Sequence, residues 1–151
     1  METYLNFIAE EWLLFSALII LLALLVRSVV IPRISGLKEV NVNEAVRLID
    51  ADNTLVLDVR LDREYETGHV AKSTNIPVGA LPARIGELEK YKSHNVLVVC
   101  QSGARSVTGG TVLRKHGFAN VFSLRGGMNA WSNANMPVTN KRAEKKKKRE
   151  Q

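Results

Sequence analysis

The first 35 residues contain one long apolar run. Residues 12–26 carry no charged side chain, and the apolar character continues past Arg27 as far as Ile31. Twenty residues of α-helix span about 30 Å, which is the thickness of a bilayer core. The run is apolar on all sides rather than along one stripe, as expected for a membrane span. The pattern therefore predicts a transmembrane helix over about residues 12–31, within an N-terminal anchor of residues 1–35.

Two other interpretations of this run are a cleaved signal peptide and a buried core helix. A signal peptide has a basic start and a small-residue cleavage site, whereas Glu10 and Glu11 precede this run and no A-x-A pattern follows it. Basic residues favour the cytoplasmic side of a membrane, and Arg33 and Lys38 follow the run. We therefore expect an uncleaved anchor with its N-terminus outside and the chain from about residue 33 in the cytoplasm.

Short apolar runs alternate with amphipathic segments through residues 36–138. The predicted strands cover residues 54–58, a short stretch within 70–76, 95–100 and 120–124, and the predicted helices cover residues 43–50, 62–67, 81–91, 106–116 and 127–134. Strands that alternate with helices pair in parallel through right-handed crossovers. The pattern predicts one α/β domain, with a small parallel sheet flanked by helices on both faces.

The net charge of +6 is distributed unevenly. Residues 139–151 contain seven basic and two acidic side chains, so most of the excess charge lies there. A block of like charges predicts a disordered tail. Such a tail could bind anionic lipid below the anchor, or RNA phosphates without sequence preference. No aromatic residues are interleaved with the charges, so we expect no sequence-specific nucleic-acid partner.

The single cysteine excludes a disulfide within the chain and a cysteine-rich zinc module. Cys100 ends the most apolar predicted strand, and ligands of open α/β sheets bind at the carboxyl ends of strands. The small residues after it lead into a helix, whose N-terminus and loop N–H groups stabilise anions. We therefore expect a reactive thiolate at Cys100. Gly103 permits a converging loop, and Arg105 can bind an anionic substrate; the alternative is a cysteine that only packs in the core.

Three segments of the chain resemble the rhodanese-domain sulfurtransferases. The first is the candidate active-site loop, which consists of Cys100, Gln101, Ser102, Gly103, Ala104, Arg105 and Ser106. The second runs from residue 57 to 77 and resembles the family's D-V-R…E-[FY]…G-H-[IV]…N-[IL]-P signature. The third, residues 124–131, resembles its closing G-G…W motif. The resemblance covers about residues 38–137, and with the anchor the chain resembles the single-domain rhodaneses of bacterial inner membranes.

This resemblance implies a persulfide mechanism without a cofactor or a metal. Cys100 would take sulfane sulfur from thiosulfate or a persulfide, and a thiol acceptor would then remove it. The loop would hold the persulfide, and Arg105 would bind the anionic end of the donor. We expect supporting, structural roles for Asp58, Arg60, Glu64 and His69. The resemblance also implies a bacterial inner-membrane protein, and the charges that flank the apolar run predict a periplasmic N-terminus and a cytoplasmic domain.

Several features leave other functions open. Many family members have Arg where this chain has Gln101, so one cationic contact is expected to be missing. Lys72 replaces the usual Gly after the G-H-[IV]-x segment. The alternative function is a catalytically weak interaction module at the membrane, which engages membrane-protein assembly machinery, ribosomes or another protein partner. A cysteine phosphatase or arsenate reductase is disfavoured, because their C-x5-R loop is one residue longer than the one that joins Cys100 to Arg105.

Overall fold

The structure, a computed structural model, describes residues 12–34, 37–51 and 53–140, without the side chains of residues 27–34. The chain divides into two units, Met1–Gly36 and Leu37–Gln151. Most of the predicted basic tail, from residue 141 onward, lies outside the described residues. Thr139, at the start of that predicted tail, forms an isolated antiparallel bridge with His69.

Helix α1 (Trp12–Ile34) belongs to the first unit. The side chains of residues 12–26 are exposed apart from half-buried Ser16, whose hydroxyl donates to the carbonyl oxygen of Leu13. The apolar residues lie on all sides of this helix, as the sequence predicts. In the described part of the chain, however, no helix has the length and hydropathy needed to cross a membrane. The structure therefore does not support the predicted transmembrane helix at residues 12–31.

The second unit is built on a five-stranded parallel sheet in the order β1-β5-β4-β2-β3. The strands are β1 (Lys38–Val40), β2 (Thr54–Asp58), β3 (Thr74–Asn75), β4 (Asn95–Val99) and β5 (Asn120–Leu124). The predicted α/β class and parallel pairing are confirmed. The three-residue edge strand β1 was not predicted, because it is too short to show a period-two pattern of apolar residues.

Helices cover both faces of the sheet. They are α2 (Val42–Asp50), α3 (Asp62–Thr67), α4 (Leu81–Arg84), α5 (Ala104–Lys115) and α6 (Gly127–Asn133), and a 3-10 helix (Ile85–Tyr91) follows α4 directly. One core cluster contains Leu57, Val98 and Cys100, and the other contains Val56, Leu97 and Trp131. Alternate residues of β2 and β4 thus point to opposite faces, which explains why both strands are continuously apolar.

The prediction of one continuous α-helix over residues 81–91 is wrong, because the segment forms a short α-helix followed by a 3-10 helix. The backbone leaves the α-helical region at Arg84 (φ −105°, ψ 10°), and the following turns are of the tighter 3-10 type. A glycine, Gly86, lies in this segment, and glycine weakens the α-helix relative to other residues. Helix α5 also begins two residues before its predicted start, at Ala104 rather than Ser106.

Candidate active site

Cys100 lies directly after β4, which is flanked by β2 and β5 in the sheet. Its side chain is fully buried, and the backbone N–H of Gly103 donates to its Sγ atom at 3.1 Å. Gly103 has φ +105°, a left-handed conformation that a residue with a Cβ rarely adopts. This turn directs a backbone N–H at the sulfur and starts α5 at the next residue, Ala104. The loop therefore places the thiol beside the N-terminus of a twelve-residue helix, where negative charge is stabilised.

The start of α6 holds the same loop from a second side. The N–H of Met128 donates to the carbonyl oxygen of Cys100 at 2.8 Å, and the N–H of Asn129 donates to that of Gln101 at 3.1 Å. A Cβ atom on Gly127 would collide with the carbonyl oxygen of Cys100. Gly127 thus permits the close approach of two backbone segments that fixes the direction of the cysteine.

Arg60 and Asp58 form a buried ion pair next to the loop. The guanidinium of Arg60 donates from Nε and one terminal nitrogen to the Asp58 carboxylate at 2.8–3.1 Å, and its backbone N–H donates to the same carboxylate at 2.9 Å. The side-chain amide of Asn75 donates to the carbonyl oxygens of both residues. Arg60 also donates to the carbonyl oxygen of Gly68 at 2.6 Å. The pair therefore joins β2, β3 and the end of α3.

Gln101 connects this ion pair to α6. Its Oε1 accepts from Arg60 at 3.2 Å, and its Nε2 donates to Oδ1 of Asn129 at 2.6 Å. A side chain that bridges a cation and an amide needs both an acceptor and a donor, which glutamine has and arginine does not. The glutamine at this position therefore supplies hydrogen bonds that fix the loop.

Arg105 forms a two-pronged ion pair with Glu64 of α3. Its two terminal nitrogens donate to the two carboxylate oxygens, both at 2.7 Å. These hydrogen bonds lower the pKa of Glu64 from its usual 4.5 to about 2. The same pairing raises the pKa of Arg105, and the nearby Cys100 and Asp58 add to that increase. Both groups are thus charged throughout the physiological range, and the guanidinium edge is occupied by the carboxylate.

His69 is fully buried and follows Gly68, whose carbonyl oxygen accepts from Arg60. Its Nδ1 is hydrogen-bonded to the carbonyl oxygen of Tyr65 at 2.7 Å, and its ring stacks on that of Tyr65 with centroids 3.6 Å apart. Its backbone exchanges two 2.8 Å hydrogen bonds with Thr139. His69 thus fixes the C-terminal end of the domain against α3.

The other loop residues differ in exposure. Ser102 and Ala104 are exposed, whereas Ser106 is fully buried in the first turn of α5. The Ser106 hydroxyl has no hydrogen-bond partner among the described residues. Within the same part of the chain, no three His, Cys, Asp or Glu side chains cluster as metal ligands would.

The sequence alone did not single out Asn129, Gly127, Gly68 or Asn75 for a role at the site. All four lie in or beside the segments that carry the resemblance, and three of them act through the backbone or through backbone acceptors. No local sequence pattern marked Asn129, because its hydrogen-bond partner Gln101 is 28 residues away in sequence.

Comparison with known proteins agrees with this geometry. Residues 41–134 match the Rhodanese-like domain family. The chain belongs to that family. A rhodanese-related protein from Thermoplasma volcanium has the same fold, with a TM-score of 0.61 and 30% identity over 68% of this chain and 97% of its own.

Two relatives extend the comparison. The uncharacterized protein YibN of Escherichia coli K12 is 33% identical over 139 residues, which are 91% of this chain and 97% of YibN. A sulfurtransferase of Allochromatium vinosum is 33% identical over 92 residues, which are 61% of this chain and 84% of its own. The similarity to YibN thus extends beyond the rhodanese-like domain, and the domain itself is similar to a sulfurtransferase.

Proposed function

We propose that this protein is a rhodanese-type sulfurtransferase that carries sulfane sulfur on Cys100. One observation carries the proposal: the N–H of Gly103 donates to Cys100 Sγ where the loop meets the N-terminus of α5. A thiolate is the nucleophile in sulfur transfer, and such an environment favours it. The membership in the rhodanese-like family and the sulfurtransferase from Allochromatium support the same reaction class.

The first half of the reaction loads the cysteine. The Cys100 thiolate attacks the outer, sulfane sulfur of the donor, a new S–S bond forms, and the donor's own bond to that sulfur breaks. The donor leaves as sulfite if it was thiosulfate, or as a thiolate if it was a persulfide. Because Cys100 is buried while Ser102 and Ala104 are exposed, a small sulfur group is the part of the donor that enters the loop.

The second half returns the enzyme to its free thiolate. An acceptor thiolate attacks the terminal sulfur of the Cys100 persulfide and leaves with it, and the electron pair of the broken bond returns to Cys100. The loop serves both halves, since the hydrogen bonds from Met128 and Asn129 hold the backbone of residues 100 and 101 in place. A fixed loop keeps its N–H groups directed at the charge as it moves to the terminal sulfur.

Turnover with and without the thiol tests the proposal. The full chain and Cys100→Ala are compared for sulfur transfer from thiosulfate, and from a thiol persulfide, to cyanide. We expect the variant to lose at least about 100-fold in rate, since covalent catalysis depends on one nucleophile. Glu87→Gln, which changes an exposed carboxylate, is the matched control. Equal rates for the two chains would exclude a cysteine mechanism, and no transfer by either would favour the interaction-module alternative.

We further propose that residues 1–35 attach the protein to the bacterial inner membrane, with the domain in the cytoplasm. This rests on the sequence and on the exposed apolar side chains of residues 12–26, not on any span found in the structure. Membrane flotation of the full chain tests the attachment. Labelling of Cys100 in intact cells by an impermeant thiol reagent would contradict the orientation.

A further inference from the structure

In the described part of the chain, two arginine side chains lie at the thiol loop, and each already forms an ion pair with a carboxylate. Arg105 is carried by the loop itself, and Arg60 is hydrogen-bonded to the loop at Gln101. We propose that Glu64, by pairing with Arg105, makes the site selective for a thiol persulfide over an oxyanion donor such as thiosulfate. This rests on the proposed sulfurtransferase function and names the donor class of the same site.

The pairing of Arg105 uses the groups that an oxyanion would need. Both of its terminal nitrogens donate to Glu64 at 2.7 Å, one to each carboxylate oxygen. This two-pronged geometry is the one in which guanidinium binds an oxyanion such as sulfonate or phosphate. An oxyanion that binds the edge formed by these two nitrogens therefore has to displace Glu64. The pair is only partly exposed, with 34% of the Arg105 and 26% of the Glu64 side chain accessible, so water does not fully replace the lost contact.

Arg60 cannot bind an oxyanion donor in place of Arg105. It is 4% exposed and holds Asp58, which is 1% exposed, with three side-chain hydrogen bonds. Its other hydrogen bonds go to Gly68 and Gln101. Removing it from Asp58 would leave a buried carboxylate without a counter-ion, which is strongly unfavourable. Gln101 itself is neutral, so each positive charge beside the thiolate is matched by one negative charge of its carboxylate partner.

The two donor classes place different charges at this site. Thiosulfate brings a dianion whose oxyanion group would lie among balanced ion pairs and close to the cysteine thiolate. A thiol persulfide, R–S–SH, brings a sulfane sulfur with no oxyanion attached. Cys100 thiolate attacks that sulfur, the S–S bond of the donor breaks with its electron pair going to R–S⁻, and the hydrogen stays on the new Cys100 persulfide. No charge beyond that of the thiolate has to be accommodated.

Glu64 keeps its charge over the whole working range. Its pKa of about 2 means that the carboxylate is ionised throughout the physiological pH range. Neutralising Glu64 by substitution therefore removes a charge that is present in the native site. Glu64→Gln keeps the size of the side chain and sets the Arg105 charge free for an incoming oxyanion.

Donor preference in the full chain tests the inference. The rate of loading is measured as kcat/KM with thiosulfate and with the persulfide of the uncharged thiol 2-mercaptoethanol, cyanide being the common acceptor. We expect the wild type to favour the persulfide by about threefold to fivefold, the size of effect that one partly exposed charge pair produces. In Glu64→Gln we expect thiosulfate kcat/KM to rise about threefold to fivefold and the persulfide value to change less than about 1.5-fold.

Two further variants separate charge from structure. Glu87→Gln neutralises the carboxylate of another two-pronged Arg–Glu pair, which is exposed and sits on the 3-10 helix, and it should leave the preference unchanged. Glu64→Asp keeps the charge and should keep the wild-type preference. If Glu64→Gln fails to fold, a wild type without preference for the persulfide, or a Glu64→Asp protein that loses the preference although it keeps the charge, still overturns the inference.

The outcomes distinguish this inference from the function on which it rests. A wild type that uses thiosulfate as well as or better than the persulfide overturns the selectivity, although sulfur transfer through Cys100 stands. A Glu64→Gln protein that folds and keeps the wild-type preference also overturns the role of Glu64. If neither donor loads sulfur on Cys100, the proposed function fails as well.

Discussion

The arginines of the site differ in what surrounds them. Arg60 is 4% exposed and is held by Asp58 within the same strand-end turn, whereas Arg105 is partly exposed and pairs with Glu64, 41 residues away. A buried ion pair that loses one member leaves an uncompensated charge, whereas a pair near the surface can be rehydrated. The first arginine therefore serves mainly the fold, and the second serves mainly the electrostatics of the thiol loop.

Replacing Arg60 with methionine should destabilise the domain strongly. We expect the free energy of unfolding to fall by about 3–5 kcal/mol, because Asp58 loses its counter-ion while it stays buried. Urea denaturation of the full chain measures this. Arg84→Met removes a two-pronged pair that is exposed and should leave the stability nearly unchanged. A loss for Arg60→Met no larger than for Arg84→Met would contradict the structural role of the buried pair.

A methyl group on Gly127 should disturb the thiol loop. The Cβ atom would meet the carbonyl oxygen of Cys100, and Gly127 also has φ +56°. We expect Gly127→Ala to lower the free energy of unfolding by about 1–3 kcal/mol and to slow sulfur loading on Cys100. Gly86→Ala is the matched control, since a Cβ there meets nothing within 4 Å. Equal stability and loading in the two variants would show that the close approach is unimportant.

Secondary structure could be predicted from the sequence where the pattern of apolar residues was long enough. β2 and β4 contain continuous apolar runs, β5 contains one interrupted only by Ser123, and their parallel pairing follows from the helices between them. The edge strand β1 has only three residues, two of them charged, so no local pattern marks it. The 3-10 helix after α4 keeps an apolar spacing similar to that of an α-helix, and only the backbone angles at Arg84 separate the two.

Helix α5 contains two adjacent glycines, Gly109 and Gly110, which lower its intrinsic stability. The structure gives a reason for the first: a Cβ on Gly109 would lie 3.2 Å from Val59, 3.5 Å from Val98 and 3.7 Å from Leu81. The absence of a side chain lets α5 lie against the sheet. That packing positions the N-terminus of the helix at Cys100.

A large side chain at Gly109 should therefore push α5 away from the sheet. We expect Gly109→Leu to lower the free energy of unfolding by about 3 kcal/mol or more, because the core around β2 and β4 has to be overpacked. Thr108→Leu places the same side chain at the neighbouring exposed position and should be neutral or slightly stabilising. Thermal denaturation checks both, and similar melting temperatures would contradict the packing explanation.

On the scale of the whole molecule, three segments far apart in sequence meet at the carboxyl ends of the strands, namely residues 57–77, 100–106 and 124–131. That Cys100 lies at the carboxyl end of a central strand followed from the topology, and the motifs indicated which segments would join it. The specific partners did not follow. The pairs Arg105–Glu64, Gln101–Arg60 and Gln101–Asn129 are separated by 41, 41 and 28 residues, and each depends on side-chain directions that only the folded chain defines.

The Glu64–Arg105 pair should make stability depend on acidic pH. The pKa of Glu64 is about 2 in the folded protein against its usual 4.5, so the unfolded chain takes up the proton first as the pH falls. The stabilisation is complete above about pH 4.5 and is lost as the pH approaches 2. We expect wild type to lose about 1 kcal/mol more than Glu64→Gln between pH 5 and pH 2.5, since the pair is partly exposed. Parallel stability curves from urea denaturation would contradict the assignment.

The central claim is that Cys100 carries sulfane sulfur. Intact mass spectrometry of the full chain after brief treatment with the persulfide of 2-mercaptoethanol tests it most directly, with Cys100→Ser as the reference. The account predicts one added sulfur atom on the wild type, which is lost on addition of cyanide with formation of thiocyanate, and no such addition on Cys100→Ser. A wild-type mass that stays unchanged, or an equal addition to both proteins, would contradict it.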